Sequence, residues 1–374
     1  MKSKIILLLL VLVSIIPVVT VFAATTSATN CKQPFTVGYK KIAVPINDRQ
    51  VSVSTWYPSR AVETQTTYGL NRRLGTGQAA LQAPLAVGCQ PFPLLIFSHG
   101  YHGCALQSLY ITEYLAQHGY VVVAPDHQDA SCNSKNPLLS FLNLDLKQFR
   151  TPELWTNQTY SDRRDDIRGT LDEILRLSHT TSSFLNQKIN SQAIGMLGHS
   201  LGGYIGLGLA GAWPSWKDPR VKALVALSPY AQPYLIHKEI SNINIPVLLE
   251  GGTLDKTITP YFNQIYPLLQ EPKEMVIIQD AGHLAWSNTL CRSYADSRSC
   301  LAGDKNAQTI VIRAATFFDR YLLNKPTANF DLQASSATDT TTMAVPTTSP
   351  KLKTVLWIIG IITLAIIIRR LWIS

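Results

Sequence analysis

The sequence predicts an α/β protein with a mostly parallel central sheet and helices on both of its faces. Short, uninterrupted apolar runs recur along the chain, as expected for strands buried on both sides. Segments of helical length separate these runs, and such alternation is typical of parallel sheets. With 374 residues, of which 46% are hydrophobic, the chain is long enough for one sizeable domain and additional end segments.

The predicted elements follow one another in a simple order. Residues 35–44 and 51–57 alternate as an opening antiparallel pair, and residues 61–90, rich in Gln, Thr, Gly and Ala, are interpreted as a surface excursion. Buried strands are predicted at 93–97, 120–124, 193–197, 221–227, 246–249 and 275–278. Helices are predicted at 106–118, 161–177, directly after 203, at 261–269 and at 307–323.

An apolar segment near the amino terminus has the features of an export signal. Residues 5–23 are apolar and follow Lys2 and Lys4, and small residues near position 23 provide the spacing of a signal-peptidase site. We predict a signal peptide over residues 1–23. The run is long for such a signal, and an uncleaved membrane anchor is the alternative.

A second apolar segment lies near the carboxyl terminus. Residues 331–353, rich in Thr, Ser, Ala and Pro, predict a flexible linker, and residues 354–368 predict a transmembrane anchor between basic residues. This segment is shorter than the ~20 residues of a usual span. An interfacial helix and a removed sorting tail are the alternatives. The expected product is a single-pass protein whose catalytic domain, residues 24–330, lies outside the cytoplasm.

The positive charge of the chain lies mostly beside these apolar segments. The formal net charge is +9, and six of the basic residues belong to the two end segments, 1–24 and 351–374, which contain no Asp or Glu. Most of the net positive charge is therefore of the kind that flanks membrane segments and sets their orientation. A nucleic-acid partner is not expected.

Six cysteines, all outside the apolar ends, indicate disulfides in an oxidising compartment. Free buried thiols are the alternative, and no Cys-x-x-Cys spacing suggests zinc. The expected pairs are Cys31–Cys89, Cys104–Cys132 and Cys291–Cys300.

The motif Gly-His-Ser-Leu-Gly-Gly at 198–203 lies between a predicted strand and a predicted helix. A serine on so tight a turn sits in strained backbone, so its neighbours two positions away must lack a Cβ. Gly-x-Ser-x-Gly in this context is the nucleophile elbow of α/β-hydrolases. The sequence therefore predicts the α/β-hydrolase fold with Ser200 as nucleophile, rather than a glycine-rich loop that happens to contain a serine.

A serine nucleophile requires a general base, which in this fold is a histidine late in the chain. Two histidines follow Ser200. His283 comes directly after the last predicted strand, where the base belongs, whereas His237 lacks this placement. We predict His283 as the base.

The base in turn requires an orienting carboxylate between the nucleophile and the histidine. Asp255 lies in the loop past a late strand and is the predicted acid. Glu250, closer to the strand end, and Asp280, closer to the histidine in sequence, are the alternatives.

Two backbone N–H groups are expected to form an oxyanion hole. One belongs to Leu201, which follows the nucleophile. The other belongs to Tyr101, in the loop 99–103 after the first buried strand. His99 and His102 in this loop lack a third ligand at suitable spacing, so neither a metal nor another cofactor is expected.

These segments occur in the order seen in α/β-hydrolases, at 98–100, 124–127, 198–203, around Asp255 and at 281–283. Over roughly residues 35–323 the chain resembles the group of platelet-activating-factor acetylhydrolases, predicted dienelactone hydrolases and bacterial cutinase-like polyesterases. The resemblance implies ester hydrolysis through an acyl-enzyme without a cofactor. Dienelactone hydrolases carry cysteine at the elbow where this chain has Ser200, so their activity is not implied.

The sequence therefore predicts a serine carboxylester hydrolase tethered to a membrane. Lipid or phospholipid acyl esters would suit an active site held near a bilayer. The alternatives are a non-catalytic binding ectodomain on the same fold and a serine peptidase. Four tryptophans are candidates for the wall of an apolar pocket, although core packing is the usual fate of this residue: Trp155, Trp213, Trp216 and Trp286.

Overall fold

A ten-stranded sheet forms the centre of the part of the chain that the structure describes. The computed structural model describes residue 31 and residues 33–61, 65–71, 75–89, 91–131 and 146–326. The strands are β1 (Thr36–Ile46), β2 (Arg49–Ser59), β3 (Gln65–Asn71), β4 (Gly75–Leu81), β5 (Phe92–Ser98), β6 (Val121–Pro125), β7 (Ile189–His199), β8 (Val221–Leu227), β9 (Val247–Gly252) and β10 (Lys273–Ile278). The α-helices are α1 (Leu109–Gln117), α2 (Ser161–Ser178), α3 (Leu201–Leu207), α4 (Gln232–Ile236), α5 (Phe262–Ile265), α6 (Ser297–Gly303) and α7 (Lys305–Leu323).

The strand order explains why distant parts of the sequence meet at one edge. The order across the sheet is β10-β9-β8-β7-β5-β6-β2-β1-β4-β3. Strands β5 to β10 are mutually parallel, whereas β2 pairs antiparallel with both β6 and β1. The predicted mostly parallel sheet is confirmed, and the carboxyl ends of its parallel strands lie along a single edge.

Neighbouring side chains of β5 enter opposite layers of the core. Leu94 and Ile96 belong to the layer that also contains apolar residues of α2 and α3. Leu95 and Phe97 belong to the layer that contains those of α1 and α7. All of β5 is buried, because a strand with helices on both faces exposes neither set of side chains. The predicted helices on both faces are thus confirmed.

The interpretation of residues 61–90 as a loop region on the surface is wrong for β3 and β4. Strand β4 pairs antiparallel with β3 and contacts β1 in parallel, so both extend the sheet. Ala79 and Ala80 of β4 are fully buried. Short Gly, Thr, Gln and Ala side chains give little apolar alternation, and backbone pairing rather than a hydrophobic pattern defines these strands.

Two of the three expected disulfides lie within the described residues. Cys31 pairs with Cys89 and Cys291 with Cys300, which confirms both predictions. Cys104 is disulfide-bonded, and its expected partner Cys132 lies outside the described residues.

The predicted end segments also lie outside the described residues. These are the signal peptide at 1–23, the linker at 331–353 and the anchor at 354–368. In the part of the chain that the structure describes, no helix combines the length and apolar character that a membrane crossing requires.

Candidate active site

The chemistry-bearing loops follow the carboxyl ends of the parallel strands. Because these ends share one edge, residues far apart in sequence meet there. Strands β5, β7, β8, β9 and β10 are followed in turn by the loop 99–103, Ser200, Ser228, Asp255 and His283.

Ser200 occupies a strained turn between β7 and α3. Its backbone has φ 55° and ψ −115°, outside the regions that residues with a side chain usually adopt. A Cβ on Gly198 would lie 2.3 Å from the carbonyl oxygen of Gly202, and a Cβ on Gly202 would lie 1.9 Å from the carbonyl oxygen of Ser98. Both positions therefore require glycine, as the elbow motif predicts.

Three predicted side chains form one hydrogen-bonded relay at this turn. His283 Nε2 lies 3.0 Å from Ser200 Oγ. On the other side of the ring, His283 Nδ1 lies 2.7 Å from Asp255 Oδ2. This is the geometry in which a histidine accepts a hydroxyl proton while a carboxylate orients the imidazole.

The Asp255 carboxylate is held by several donors. Its Oδ1 accepts from Thr257 Oγ1 at 2.8 Å and from the backbone N–H groups of Thr257 and Ile258 at 3.2 and 3.1 Å. Its Oδ2 accepts from Ser228 Oγ and from His283. Burial alone would raise the pKa of Asp255, but the hydrogen bonds from His283, Ser228 and Thr257 outweigh it and hold that pKa below its usual range. The carboxylate therefore stays ionised at neutral pH.

Ser228 is a site residue that the sequence analysis missed. Its Oγ donates to Asp255 and lies 3.0 Å from His283 Nδ1, so it contacts both members of the acid–base pair. Its backbone φ of 45° marks a second strained turn, at the end of β8. The sequence placed Ser228 directly after a predicted strand, and this position could have marked it as a site residue. The loop after that strand lies at the same edge of the sheet as the nucleophile.

The alternative acids and the alternative base lie elsewhere. Asp280 has φ 59°, and its backbone N–H donates to Thr253 Oγ1 at 2.9 Å, so it shapes a turn. Glu250 is fully buried and accepts from Trp286 Nε1 at 2.9 Å. His237 Nε2 lies 2.9 Å from the carbonyl oxygen of Trp155. Within the described ranges, no group of three or more His, Cys, Asp and Glu side chains could hold a metal ion.

The two predicted oxyanion donors lie on segments that pack against each other. Leu201 is the first residue of α3, so its N–H has no acceptor within the helix. The loop that carries Tyr101 lies against the elbow, since a Cβ on Gly100 would lie only 3.0 Å from His199 Nδ1. The participation of both N–H groups in catalysis stays a prediction.

A buried guanidinium stabilises the loop 99–103, named the oxyanion loop here after its predicted role. Arg163 is fully buried and donates to the carbonyl oxygens of His99 at 2.6 Å and Gly100 at 3.1 Å. Its Nε and Nη2 also donate to the Asp129 carboxylate at 2.9 and 2.7 Å. Asp129 in turn accepts from the N–H of His102 at 3.0 Å. Burial alone would raise the pKa of Asp129, but Arg163 lowers it by a larger amount and holds it below its usual range. The carboxylate therefore stays ionised beside the guanidinium.

Aromatic side chains surround the elbow on one side. The N–H of Tyr230 donates to the carbonyl oxygen of Ser200 at 3.0 Å. The rings of Trp155 and Phe149 lie 4.9 and 5.0 Å from the Tyr230 ring. Phe149 contacts the Tyr101 ring at 5.1 Å. This aromatic cluster therefore reaches from the nucleophile turn to the oxyanion loop.

The tryptophans considered for a pocket wall are core residues. Trp216 and Trp286 are fully buried, and Trp213 and Trp155 are 7% and 2% exposed. Of these four, Trp155 is the one that belongs to the aromatic cluster beside the elbow. Their role is thus mainly packing, which was the alternative to a pocket wall.

Two family models match separate parts of the chain. Residues 61–139 match platelet-activating factor acetylhydrolase, isoform II, and residues 153–294 match a PET hydrolase-like family. Cutinase 2 of Thermobifida cellulosilytica and cutinase cut1 of Thermobifida fusca are each 27% identical over 170 residues, 46% of this chain. The matches cover 50% and 41% of those proteins, so the chain spans about half the length of these relatives.

Solved structures show the same fold. A ferulic acid esterase from Streptomyces cinnamoneus aligns with a TM-score of 0.56 and 18% identity, over 81% of this chain and 94% of that one. The chain has the α/β-hydrolase fold. The acylaminoacyl peptidase of Pyrococcus horikoshii, another solved structure with this fold, aligns with a TM-score of 0.50 and 14% identity over 82% of this chain and 44% of that one. The sequence matches are to a PET hydrolase-like family, platelet-activating factor acetylhydrolase and cutinases, which confirms the resemblance predicted from the sequence.

The core also contains a buried acid, Glu250, whose protonation contributes to the pH dependence of stability. Burial raises the pKa of Glu250 from 4.5 to about 8. Among the described residues, no group hydrogen-bonds to its Oε1. At Glu250 the folded state thus holds a proton that the unfolded chain releases, and the contribution of this residue to the free energy of unfolding falls as the pH rises from about 4.5 to about 8.

We expect Glu250→Gln to stabilise the protein at high pH. Glutamine keeps an acceptor for Trp286 and places an amide NH₂, with two N–H donors, where the protonated carboxyl has one O–H, but it does not titrate. Relative to the wild type, the free energy of unfolding of the variant should rise on the order of 3 kcal/mol between pH 5 and pH 8. Urea unfolding at both pH values measures this, and Glu271→Gln is the control because its side chain is 76% exposed. A stability difference that does not change with pH would contradict the expectation.

Proposed function

We propose that this α/β-hydrolase is a serine carboxylester hydrolase. The observation that carries the proposal is the relay from Ser200 through His283 to Asp255, built on an elbow where the serine backbone is strained. The cutinase and esterase relatives support a hydrolase of ester bonds. The same relay argues against the non-catalytic ectodomain.

The proposed reaction begins with acylation. Ser200 Oγ attacks the carbonyl carbon of the ester while His283 Nε2 accepts its proton. The N–H groups of Leu201 and Tyr101 stabilise the oxyanion of the tetrahedral intermediate. When the intermediate collapses, the alcohol leaves with the proton from His283, and the acyl group remains on the serine.

Deacylation repeats these steps with water as the nucleophile. His283 accepts a proton from the attacking water and then returns it to Ser200 Oγ, which releases the carboxylic acid. Asp255 remains ionised throughout and stabilises the imidazolium that forms in each half-reaction. The pathway requires neither a metal nor an organic cofactor.

Lipid or phospholipid acyl esters are the proposed substrates. The half-buried rings of Tyr101 and Phe149, packed on the buried rings of Trp155 and Tyr230, supply an apolar surface beside the nucleophile. A panel of p-nitrophenyl esters of increasing acyl length, together with a phospholipid and a peptide substrate, tests this proposal. We expect turnover of the longer esters and of the phospholipid. Cleavage of the peptide alone would favour the peptidase instead.

The proposed location is outside the cytoplasm, on a membrane. The disulfides Cys31–Cys89 and Cys291–Cys300 support an oxidising compartment. The export-like segment 1–23 would direct the domain, residues 24–330, across the membrane. The apolar segment 354–368 would then hold it there through the linker 331–353.

We expect deletion of residues 351–374 to release active enzyme into the soluble extracytoplasmic fraction. The reason is that this deletion removes the proposed anchor and leaves the sheet and its loops intact. Cell fractionation followed by an ester assay measures the release. If the shortened protein stayed in the membrane pellet, the anchor would have to be the amino-terminal run.

A further inference from the structure

A chain of hydrogen bonds connects the oxyanion loop to the backbone of the proposed base. The N–H of Gly100 donates to Gln107 Oε1 at 2.9 Å. Gln107 Nε2 lies 2.9 Å from His199 Nδ1. His199 Nε2 lies 2.8 Å from the carbonyl oxygen of His283. Two side chains outside the triad therefore bridge the oxyanion loop and the acid–base residue.

The two backbone groups at the ends of this series of hydrogen bonds determine which atom donates and which accepts in each bond. The Gly100 N–H is only a donor, so the oxygen of the Gln107 amide must face it and the amide NH₂ must face His199. His199 Nδ1 therefore accepts. Its Nε2 carries the proton and donates to the carbonyl oxygen of His283, which is only an acceptor.

The surroundings of the bridge leave little room for another arrangement. His199 is 2% exposed, and burial, followed by the charge of nearby His283, lowers its pKa to about 3. A Cβ on Gly103 would lie 2.2 Å from Gln107 Oε1. The other titratable side chains that face His199 are Asp255 and His99, and the ring of Trp286 stacks on it at 6.4 Å.

We propose that Gln107 and His199 are positioning residues that hold the oxyanion loop and His283 at a fixed separation. The inference rests on the proposed ester hydrolysis. A tetrahedral intermediate must be contacted by the oxyanion donors and by the base at the same time. The bridge ties these two groups together, and its effect is realised in the transition state rather than in the bound ester.

The first test compares variants of Gln107 in the full-length enzyme. Gln107→Met keeps the length of the side chain but makes none of the hydrogen bonds. Gln107→Glu accepts from Gly100 but has no donor for His199. Gln308→Met is the matched control, because this glutamine lies in α7 and donates to the carbonyl oxygen of Leu301, away from the site.

Both Gln107 variants should lower kcat about 10- to 100-fold and change KM by less than about twofold, as expected from a small misalignment. The control should retain the wild-type kcat. Unchanged kcat in Gln107→Met, or an equal loss in the control, would overturn the proposal. A change confined to KM would also overturn it, because it would indicate a substrate contact.

The second test observes the ring of His199 directly. Nitrogen-15 NMR of histidine-labelled wild type should show the neutral tautomer with the proton on Nε2. Gln107→Glu places an acceptor at each ring nitrogen, so it should shift the ring toward the imidazolium, with a second proton on Nδ1. A wild-type ring protonated on Nδ1 would overturn the bridge. If the wild type hydrolysed no ester, the proposed function would fail, and this NMR measurement would still decide whether the bridge exists.

Discussion

We expect Ser200→Ala to lower kcat for ester hydrolysis by roughly 10⁴- to 10⁶-fold. The substitution removes the hydroxyl oxygen that lies 3.0 Å from His283 Nε2 on the elbow turn. The oxyanion donors and the substrate surface remain, so KM should change far less than kcat. Steady-state kinetics with a p-nitrophenyl ester measures both quantities.

The same experiment needs a control for the strained turn. Alanine has a Cβ like serine, so the backbone at φ 55° is retained and the unfolding midpoint should be close to that of the wild type. Ser287→Ala is a matched control, since Ser287 Oγ donates to the carbonyl oxygen of Leu284 and does not contact the relay. Near-wild-type turnover by Ser200→Ala would remove the basis of the proposed mechanism.

The second large effect is expected at Asp255. Asp255→Asn should lower kcat roughly 10³- to 10⁴-fold, because an amide that donates to His283 Nδ1 stabilises the wrong tautomer of the imidazole. The lost carboxylate also no longer stabilises the imidazolium. The ester should still bind, since Asp255 is 2% exposed and lies behind the histidine. Steady-state kinetics again separates kcat from KM.

Asp280→Asn is the matched comparison for this prediction. Asp280 lies closer to His283 in sequence, but its side chain accepts from Gln279 and its N–H donates to Thr253. We expect this variant to retain turnover within about twofold, as for a surface substitution away from the chemistry. A crippled Asp280→Asn together with a mild Asp255→Asn would reverse the assignment of the acid.

The sequence was sufficient to select the three side chains that the structure joins in the relay, because each of them follows a recognisable strand. The glycine pattern around Ser200 reflects backbone contacts that only glycine permits. His283 and Asp255 were located by chain order and by their places after late strands. These signals are local, and a local signal is all that a single sequence offers.

The residues that support the triad depend on the order of strands in the sheet, which no local pattern reveals. Ser228 and Asp255 are 27 positions apart, and Gln107 and His199 are 92 apart. They meet because their strands end at one edge. Polar residues of these types are equally common in exposed loops, so residue type alone did not separate the supporting residues from ordinary surface residues.

The same limit applies to a buried polar network beneath the oxyanion loop. Ser98 Oγ lies 2.9 Å from His127 Nε2, and His127 Nδ1 lies 3.0 Å from Asp166. The other oxygen of Asp166 accepts from Arg49 at 2.6 Å. Charged residues in an amphipathic helix usually face solvent, whereas Asp166 is fully buried. The network joins it to Arg49, Ser98 and His127, which lie in three other parts of the chain, so no local pattern indicated it.

Covalent labelling with a fluorophosphonate tests the central claim most directly. The reagent forms a stable bond only with a serine that an adjacent base activates, so it reports the nucleophile without assuming a substrate. The account predicts a single adduct by intact mass, located on Ser200 by peptide mapping and absent from Ser200→Ala. An adduct on a different residue, or ester turnover by a protein that takes up no label, would contradict it.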